Sequence, residues 1–157
     1  MNRPLRRSLR AIVGLLLVAA CLAARPRAAS AQAVLEWAQD HTAKWYDAFN
    51  AGDASAIIKL YASDAVLLLQ GETFNGRAAI EAFHKGNFAK VRYSCTFTID
   101  SVSIVDNLAA MWGEDSCTET PASGAPAQQW KGRWLTVYQL QADGSWLIVR
   151  DSGEEVK

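Results

Sequence analysis

The chain changes its hydrophobic period once, and this change constrains the fold more than any other feature. Up to residue 88, apolar side chains recur every three or four residues, as in amphipathic helices, apart from one strand-length apolar run at 65–69. From residue 91 onward they alternate, as in strands with one buried face. Helices that precede a run of antiparallel strands must pack together on one face of the sheet. The sequence therefore predicts an α+β fold.

Three helices are predicted in the first half of the chain. The first covers residues 34–50, and its apolar positions are Val34, Trp37, Ala38, Trp45, Ala48 and Phe49. Gly52 can close this helix in the left-handed conformation, and Asp53 then caps a short helix at 54–62. Helical spacing resumes over residues 77–88.

The strand that begins at Val91 shifts its apolar phase part of the way along. Its apolar side chains alternate as far as Ile99, and the alternation restarts one position out of phase at Val102. An extra residue in one strand produces this shift and bends the sheet. We therefore expect a bulge near Asp100-Ser101 and a sharply curved sheet.

The last two strands are predicted to form a hairpin through a two-residue turn at Asp143-Gly144. This turn pairs Tyr138 with Val149 and Thr136 with Asp151, so Tyr138 and Asp151 share a face. Both faces carry large apolar side chains: Trp134, Tyr138 and Leu140 on one, and Leu135, Val137, Trp146 and Ile148 on the other. Since the helices can cover only one face, we expect a homodimer through the other.

The N-terminus has the three parts of a secretory signal. Arginines precede an apolar run at 11–24, which is shorter than the roughly 20 residues of a spanning helix, and Ala29-Ser30-Ala31 resembles a cleavage site. The sequence predicts a cleaved signal peptide at 1–31, a single domain at 32–157, and export to the periplasm or the medium. An alternative is a lipoprotein anchored at Cys21, because residues 18–21 resemble a lipobox. Whether export uses the general or the twin-arginine route stays open.

Cleavage would leave an acidic domain. The removed segment holds six of the 16 Lys and Arg and none of the 16 Asp and Glu, so ten basic residues face 16 acidic ones, a net charge of −6. Nucleic acids and anionic membranes are bound through basic patches. We therefore expect no nucleic-acid partner, and no membrane association unless Cys21 is lipidated.

Four segments resemble one family when they are taken in order. They are WYDAFNAGD at 45–53, LYASDAV at 60–66, NGRAAI at 75–80 and DGSWLIV at 143–149. Together they look like the nuclear transport factor 2-like superfamily, in its SnoaL-like branch. The resemblance implies a cone-shaped, strongly bent, mostly antiparallel sheet wrapped around three N-terminal helices, with an apolar pocket and frequent dimerisation. Since the superfamily includes ketosteroid isomerase, polyketide cyclases, dehydratases and members without chemistry, function depends on the pocket residues.

Three residues are candidates for acid–base chemistry. Abstraction of a proton next to a carbonyl needs a carboxylate in a dry pocket and a donor to the oxyanion, and Asp151 with Tyr138 could supply both. The alternative is that Asp151 caps the last strand or pairs with a cation at the rim while Tyr138 belongs to the core. Dehydratase members use a histidine as base, which makes His84 a second candidate, although a helical histidine that borders the core is more often a packed or surface residue.

A second group of residues is proposed to bind ligand. Tyr46, Tyr61, Phe83 and Trp112 are aromatic positions suited to the wall of an apolar pocket, or to ordinary core packing. Arg133 could bind a ligand carboxylate or phosphate, or pair across strands with Glu114 or Asp115. No cofactor is expected, and no cluster of metal ligands is present in the sequence.

Cys95 and Cys117 are candidates for a disulfide in an exported domain. A turn centred on Asp106 places them directly opposite each other, whereas a two-residue turn at Asp106-Asn107 offsets them by one residue. Two free thiols are the alternative.

These observations favour an exported, dimeric domain that binds a small, largely apolar molecule. A cofactor-free isomerase, cyclase or dehydratase that acts by proton abstraction is the first alternative, and a non-catalytic assembly module is the second.

Overall fold

The computed structural model describes residues 30–156. The predicted signal peptide, with Cys21, lies outside these residues except for its last two positions. The elements in chain order are α1 (Ala31–Asn50), α2 (Ala54–Ile58), β1 (Tyr61–Leu69), β2 (Glu72–Asn75), α3 (Gly76–Phe88), β3 (Val91–Phe97), β4 (Ser101–Val105), β5 (Leu108–Pro121), β6 (Gln128–Leu140) and β7 (Trp146–Val156). The predicted α+β class is confirmed.

The first helix begins and ends where local chemistry favours it. The Ser30 hydroxyl accepts a hydrogen bond from the Ala33 amide at 3.2 Å and so caps α1. Gly52 has a φ of 68° just after the helix end, and the Asp53 carboxylate caps α2 through the Ala56 amide at 2.9 Å. The predicted end of α1 and start of α2 are therefore confirmed.

The short helix α2 ends earlier than predicted. It stops at Ile58 rather than residue 62, and Tyr61 is already the first residue of β1. The Leu60 carbonyl accepts a hydrogen bond from the Ile148 amide at 2.8 Å, which draws the chain into the sheet beside β7. Pairing with the sheet therefore overrides the local helical pattern.

The seven strands form one sheet in the order β2-β1-β7-β6-β5-β3, with β4 paired to β5. Only β1 and β7 run parallel among the described pairs. One face of the sheet packs against the helices and is called the inner face; it carries the core residues Met111, Trp134, Tyr138 and Ile148. The opposite face is called the outer face.

The predicted bulge is confirmed at Asp100-Ser101. The Asp100 amide donates to the Trp112 carbonyl at 3.0 Å, and Ser101 is also the register partner of Trp112. Two residues thus oppose one, which defines a bulge. Consequently β3 and β4 pair with opposite ends of β5 in registers that differ by one residue.

This bulge places Cys95 and Cys117 directly opposite each other. The turn at Asp106-Asn107 has two residues, since Val105 pairs with Leu108, and by itself it would offset Cys95 from Cys117. The bulge restores the register, so the cysteines are direct partners with Cα atoms 4.1 Å apart, and their sulfurs are bonded.

The β6–β7 hairpin differs from its predicted register near the turn. The connection has three residues between Gln141 and Ser145, whose backbone groups are hydrogen bonded at 2.7 Å, and Tyr138 therefore pairs with Ile148 rather than Val149. A register shift between Val137 and Tyr138 then restores the predicted pair of Thr136 with Asp151.

The corrected register moves two apolar residues to the inner face. Ile148, predicted for the other face, is 1% exposed in the core. Trp146 contacts Trp37 of α1 with ring centroids 5.2 Å apart, and Trp37 also contacts Tyr138 at 5.6 Å. The prediction that Trp146 and Ile148 lie opposite Tyr138 was wrong, because the turn is one residue longer than assumed.

Candidate functional site

A cavity of about 480 Å³ lies between the inner face of the sheet and the helices α1 and α3. Aromatic rings form much of its wall: Trp45, Tyr46, Phe49, Phe83, Tyr93, Trp130, Trp134 and Tyr138. Alternation along β5, β6 and β7 aims every second side chain into this space. The polar groups among them are therefore the candidates for function.

Asp151 is the most deeply buried of the carboxylates that line the cavity. It is 7% exposed and accepts hydrogen bonds from the hydroxyl of Tyr61 and, at 2.8 Å, from that of Thr136. The Trp45 indole N–H in turn donates to the Tyr61 oxygen at 3.0 Å. Desolvation raises the pKa of Asp151, while the two hydroxyl donors act in the opposite direction. These neutral donors hold the carboxylate in a fixed orientation.

Tyr138 lies on the same face as Asp151, as predicted from the hairpin. It is 3% exposed, and burial together with the charge of Asp151 raises its pKa, so the phenol stays protonated. Its hydroxyl makes no hydrogen bond within residues 30–156, which leaves it available to a molecule in the cavity.

Asp115 is a second cavity carboxylate, which the sequence reasoning treated only as a possible partner of Arg133. The Tyr46 hydroxyl donates to its Oδ2 at 2.8 Å, whereas its buried Oδ1 has no hydrogen-bond partner within the described part of the chain. Desolvation raises the pKa of Asp115. Its separation from Cys117 by two residues places both on one face, and this signal was available in the sequence.

Gly132 makes room for Asp115. The two are register partners, and a Cβ on Gly132 would overlap Asp115 Oδ1 and approach the Trp130 ring to 2.9 Å. The absence of a side chain at position 132 therefore allows the carboxylate and the indole to lie side by side over the backbone.

His84 lines the cavity from α3 and is 3% exposed. Aromatic rings surround it: Trp45, Phe49, Phe83 and Phe88. Neither ring nitrogen has a hydrogen-bond partner among residues 30–156. Desolvation lowers the pKa of His84 to about 4, so the imidazole is neutral near pH 7.

The other predicted site residues divide into two groups. Tyr46 and Phe83 line the cavity, whereas Tyr61 is fully buried behind Asp151 and does not. Trp112 lies on the outer face with 44% exposure, so its assignment to the pocket wall is corrected. The physical reason is strand alternation, since Trp112 and the inward-facing Met111 are adjacent.

Arg133 borders the cavity but has an ionic partner of its own. Its Nε lies 3.6 Å from Glu114 Oε1, and both side chains are more than half exposed. The partner is Glu114 rather than Asp115, because Glu114 and Arg133 are direct register neighbours. This geometry is that of a cross-strand surface ion pair.

Within residues 30–156, no group of three His, Cys, Asp or Glu side chains is arranged to hold a metal ion. The same part of the chain contains no helix that is long and apolar enough to span a membrane.

The fold and the cavity define a class: α+β domains in which helices and a bent, mostly antiparallel sheet enclose a pocket. Residues 42–149 match the family model of the SnoaL-like domain. The chain therefore belongs to the SnoaL-like family, and it has the fold of NTF2-like proteins. The resemblance stated from the four segments is confirmed.

Solved structures with the same fold share little sequence with this chain. A ketosteroid isomerase-like protein from Erwinia carotovora atroseptica has a TM-score of 0.72 at 23% identity, covering 80% of this chain and 95% of that one. An NTF2-like superfamily protein from Salmonella enterica has a TM-score of 0.70 at 15% identity, with 80% and 93% covered. A conserved protein from Planctomyces limnophilus has a TM-score of 0.69 at 20% identity, with 76% and 94% covered. No protein with a curated description matches the chain in sequence.

Proposed function

We propose that this domain binds a small, largely apolar molecule in the cavity between its helices and its sheet. The observation that carries this proposal is the aromatic cavity of about 480 Å³, which falls in the range of small-molecule sites. Four polar groups converge on it: Tyr138, His84, Asp115 and Asp151. His84 contributes a buried imidazole to the wall, and neither of its ring nitrogens has a hydrogen-bond partner among residues 30–156.

Filling part of the cavity with a larger side chain tests this proposal. Leu69 is half-buried and lines the cavity, so Leu69→Trp would place an indole in the ligand space. Leu35→Trp is the matched control, because Leu35 is 40% exposed on α1 and lies away from the cavity. Calorimetric titration with naphthylmethanol should show binding to the wild type and to Leu35→Trp, and at least tenfold weaker binding to Leu69→Trp, as expected for lost pocket volume. Equal binding to all three proteins would contradict the proposal.

A second candidate is cofactor-free proton transfer at carbon, supported by the geometry of Asp151. The carboxylate is oriented by Thr136 and Tyr61, burial raises its pKa above the ordinary value, and the protonated Tyr138 lies on the same face. In such a reaction Asp151 takes a proton from the carbon next to a carbonyl, and the Tyr138 O–H donates a hydrogen bond to the developing oxyanion. Return of the proton to another carbon completes an isomerisation.

Exchange of the α-protons of β-tetralone in deuterated buffer measures this step directly by NMR. We expect exchange above the buffer rate that falls at least a hundredfold in Asp151→Asn, the size of a typical acid–base contribution. Thermal melting would verify that the variant is folded. Exchange no faster than in buffer, or unaffected by the substitution, would leave the domain as a binding module.

We further propose that the domain is a homodimer through the outer face. Trp112, Leu135 and Leu68 form an apolar row there, 44–47% exposed and joined by the register pairs of β5, β6, β7 and β1. Analytical ultracentrifugation should find a dimer for the wild type and for Leu35→Glu on α1, but a monomer for Leu135→Glu. A monomeric wild type would overturn the proposal.

Export with cleavage after Ala31 is proposed from the sequence alone. This cleavage would remove Ser30 and with it the cap of α1, leaving the new amino group at the start of that helix. Native mass spectrometry of protein from an exporting host should give a mass that begins at Gln32. A lipid-modified mass that begins at Cys21 would show the lipoprotein alternative instead.

A further inference from the structure

Two successive hydrogen bonds connect Asp151 to the helix α1 through Tyr61. The indole N–H of Trp45 donates to the Tyr61 oxygen at 3.0 Å, and the Tyr61 hydroxyl donates to Asp151 Oδ2. Thr136 donates to the other carboxylate oxygen, Oδ1, at 2.8 Å. Tyr61 is 0% exposed and does not line the cavity, so solvent does not compete for its hydroxyl.

The direction of these two hydrogen bonds is fixed by the chemistry of the groups. An indole N–H can only donate, so the Tyr61 oxygen accepts from Trp45. The phenol gives its single proton to Asp151 Oδ2. A proton on Oδ2 would compete with the Tyr61 proton for the space between the two oxygens. The arrangement therefore favours the ionised carboxylate, which is the form that a general base needs.

A second tyrosine–aspartate pair in the cavity lacks the indole. The Tyr46 hydroxyl donates to Asp115 Oδ2 at 2.8 Å, but no side chain among residues 30–156 donates to the Tyr46 oxygen. That oxygen can accept a proton back from Asp115 when the hydroxyl rotates. The Tyr61 oxygen is already occupied by the Trp45 N–H, so only the Asp151 pair has a fixed direction.

Asp151 has no cationic partner within residues 30–156. The buried titratable side chains that line the cavity with it are Tyr46 of α1, His84 of α3 and Tyr138 of β6. Burial keeps both tyrosines protonated and the histidine neutral. Asp115 of β5 is itself an acid, and Arg133 of β6 is more than half exposed and pairs with Glu114. Neutral hydrogen-bond donors therefore stabilise the Asp151 anion against desolvation.

From this geometry we propose that Tyr61 and Trp45 are positioning residues for proton transfer, which hold the Asp151 carboxylate ionised and fixed in orientation. Neither residue takes a proton from the substrate. Tyr61 acts directly on the carboxylate, and Trp45 acts by directing the Tyr61 proton toward it. This inference rests on the proton-transfer function proposed above and deepens it, because it names the residues that keep the base ionised.

A carbon-13 NMR titration of the aspartate carboxyl groups tests the inference without a substrate. The Asp151 signal is assigned by its loss in Asp151→Asn. Tyr61→Phe keeps the ring and removes the hydroxyl, and it should raise the affinity of Asp151 for its proton at least about tenfold, as expected when a charged group loses one hydrogen bond. Trp45→Phe leaves Tyr61 in place but frees its oxygen, and it should raise that affinity by a smaller factor.

Trp37→Phe is the matched control for Trp45→Phe. Both tryptophans lie on α1, but the Trp37 N–H is buried without a partner among residues 30–156, and Trp37 does not line the cavity. Because both variants lose the same ring volume, Trp37→Phe should leave the titration of Asp151 unchanged. Circular dichroism melts verify folding, and if Tyr61→Phe does not fold, Trp45→Phe carries the test.

The pH profile of β-tetralone exchange provides the functional measurement. In both Tyr61→Phe and Trp45→Phe, the pH at half of the maximal exchange rate should move upward together with the titration midpoint of Asp151, because the ionised carboxylate is the base. A purely structural role of these residues would lower the maximal rate and leave this pH unchanged.

The outcomes separate this inference from the proton-transfer proposal. If Asp151 titrates in both variants as it does in the wild type, the inference is overturned at any rate of exchange. A change of equal size in Trp37→Phe and Trp45→Phe would also overturn the role of the Trp45 N–H. If the wild type does not accelerate exchange, the proton-transfer proposal fails, and the titration still decides whether Tyr61 and Trp45 hold Asp151 ionised.

Discussion

Each face of the β5–β6 ribbon carries residues that depart from the usual distribution of polarity. On the inner face, Asp151 of the adjacent β7 is buried and Asp115 is half-buried, whereas on the outer face Trp112 and Leu135 are register partners with 44% and 47% exposure. Apolar residues normally lie inside and carboxylates outside. Both departures occur on neighbouring strands of one sheet. Polar groups on the inner face are expected for the ligand cavity that we propose, and exposed apolar groups on the outer face are expected for the dimer that we propose.

The largest effect expected from this comparison concerns Ile148, which the register correction moves from the outer to the inner face. Ile148→Ala should lower the free energy of unfolding by about 3 kcal/mol, because it opens a void in a close-packed core. Leu147→Ala, at a half-buried neighbouring position, should cost less than about 1 kcal/mol. Urea denaturation measures both. Equal losses of unfolding free energy in the two variants would mean that Ile148 is no more deeply buried than Leu147.

The next effect concerns the pH dependence of stability. The pKa of His84 is lowered to about 4 in the fold, so between this value and its unfolded value of about 6.5 the unfolded chain binds more protons. Stability contributed by neutral His84 is therefore present above pH 6.5 and is lost as the pH falls toward 4, by up to about 3 kcal/mol at 1.36 kcal/mol per unit.

The variant His84→Phe should remove this dependence. The difference in unfolding free energy between variant and wild type, measured by urea denaturation from pH 4 to 7, should change across that window and level off above it. Asp115 and Asp151 have raised pKa values and act with the opposite sign, but they are present in both proteins and cancel in the difference. A flat difference would show that His84 is not buried in its neutral form.

A smaller loss of stability is expected for substitution of Gly132, whose lack of a side chain leaves room for neighbouring residues on the inner face. Gly132→Ala should cost about 2 kcal/mol, because the new Cβ displaces Asp115 and Trp130. Gly86→Ala is the control, since a Cβ there meets nothing within 4 Å on α3, and it should be neutral or stabilising by up to about 1 kcal/mol. Thermal melts measure the stability of both variants. A stabilised Gly132→Ala variant would show that Asp115 and Trp130 do not crowd position 132.

Local structure could be predicted from the sequence where a single residue type or a shift in pattern determines it. Gly52 and Asp53 specify the end of one helix and the start of the next, and the phase shift before Val102 specifies the bulge. The length of the β6–β7 turn was not readable, because Asp143-Gly144 suits turns of two and three residues alike. Ile148 was misplaced for that reason, and Asp151 was placed correctly only because a second irregularity restores the register.

The candidate site was predictable to the extent that it depends on alternation within one strand. Tyr138 and Asp151 were placed on a common face, and the misassignment of Trp112 could have been avoided by its odd separation from Cys117. The hydrogen bond from Trp45 to Tyr61 and the one from Tyr46 to Asp115 were not predictable. They depend on how α1 packs on the sheet, which no local pattern specifies.

The last residue of α1, Asn50, also covers part of the free edge of β3. The side-chain amide of Asn50 donates to the Cys95 carbonyl at 3.0 Å and accepts from the Cys95 amide at 2.7 Å. These two bonds copy the pattern that a further strand would make, at the middle of an otherwise open edge. Asn50 therefore occupies the position where a β-strand of another molecule would have to begin pairing, and the fold resists growth into edge-to-edge aggregates at this side of the sheet.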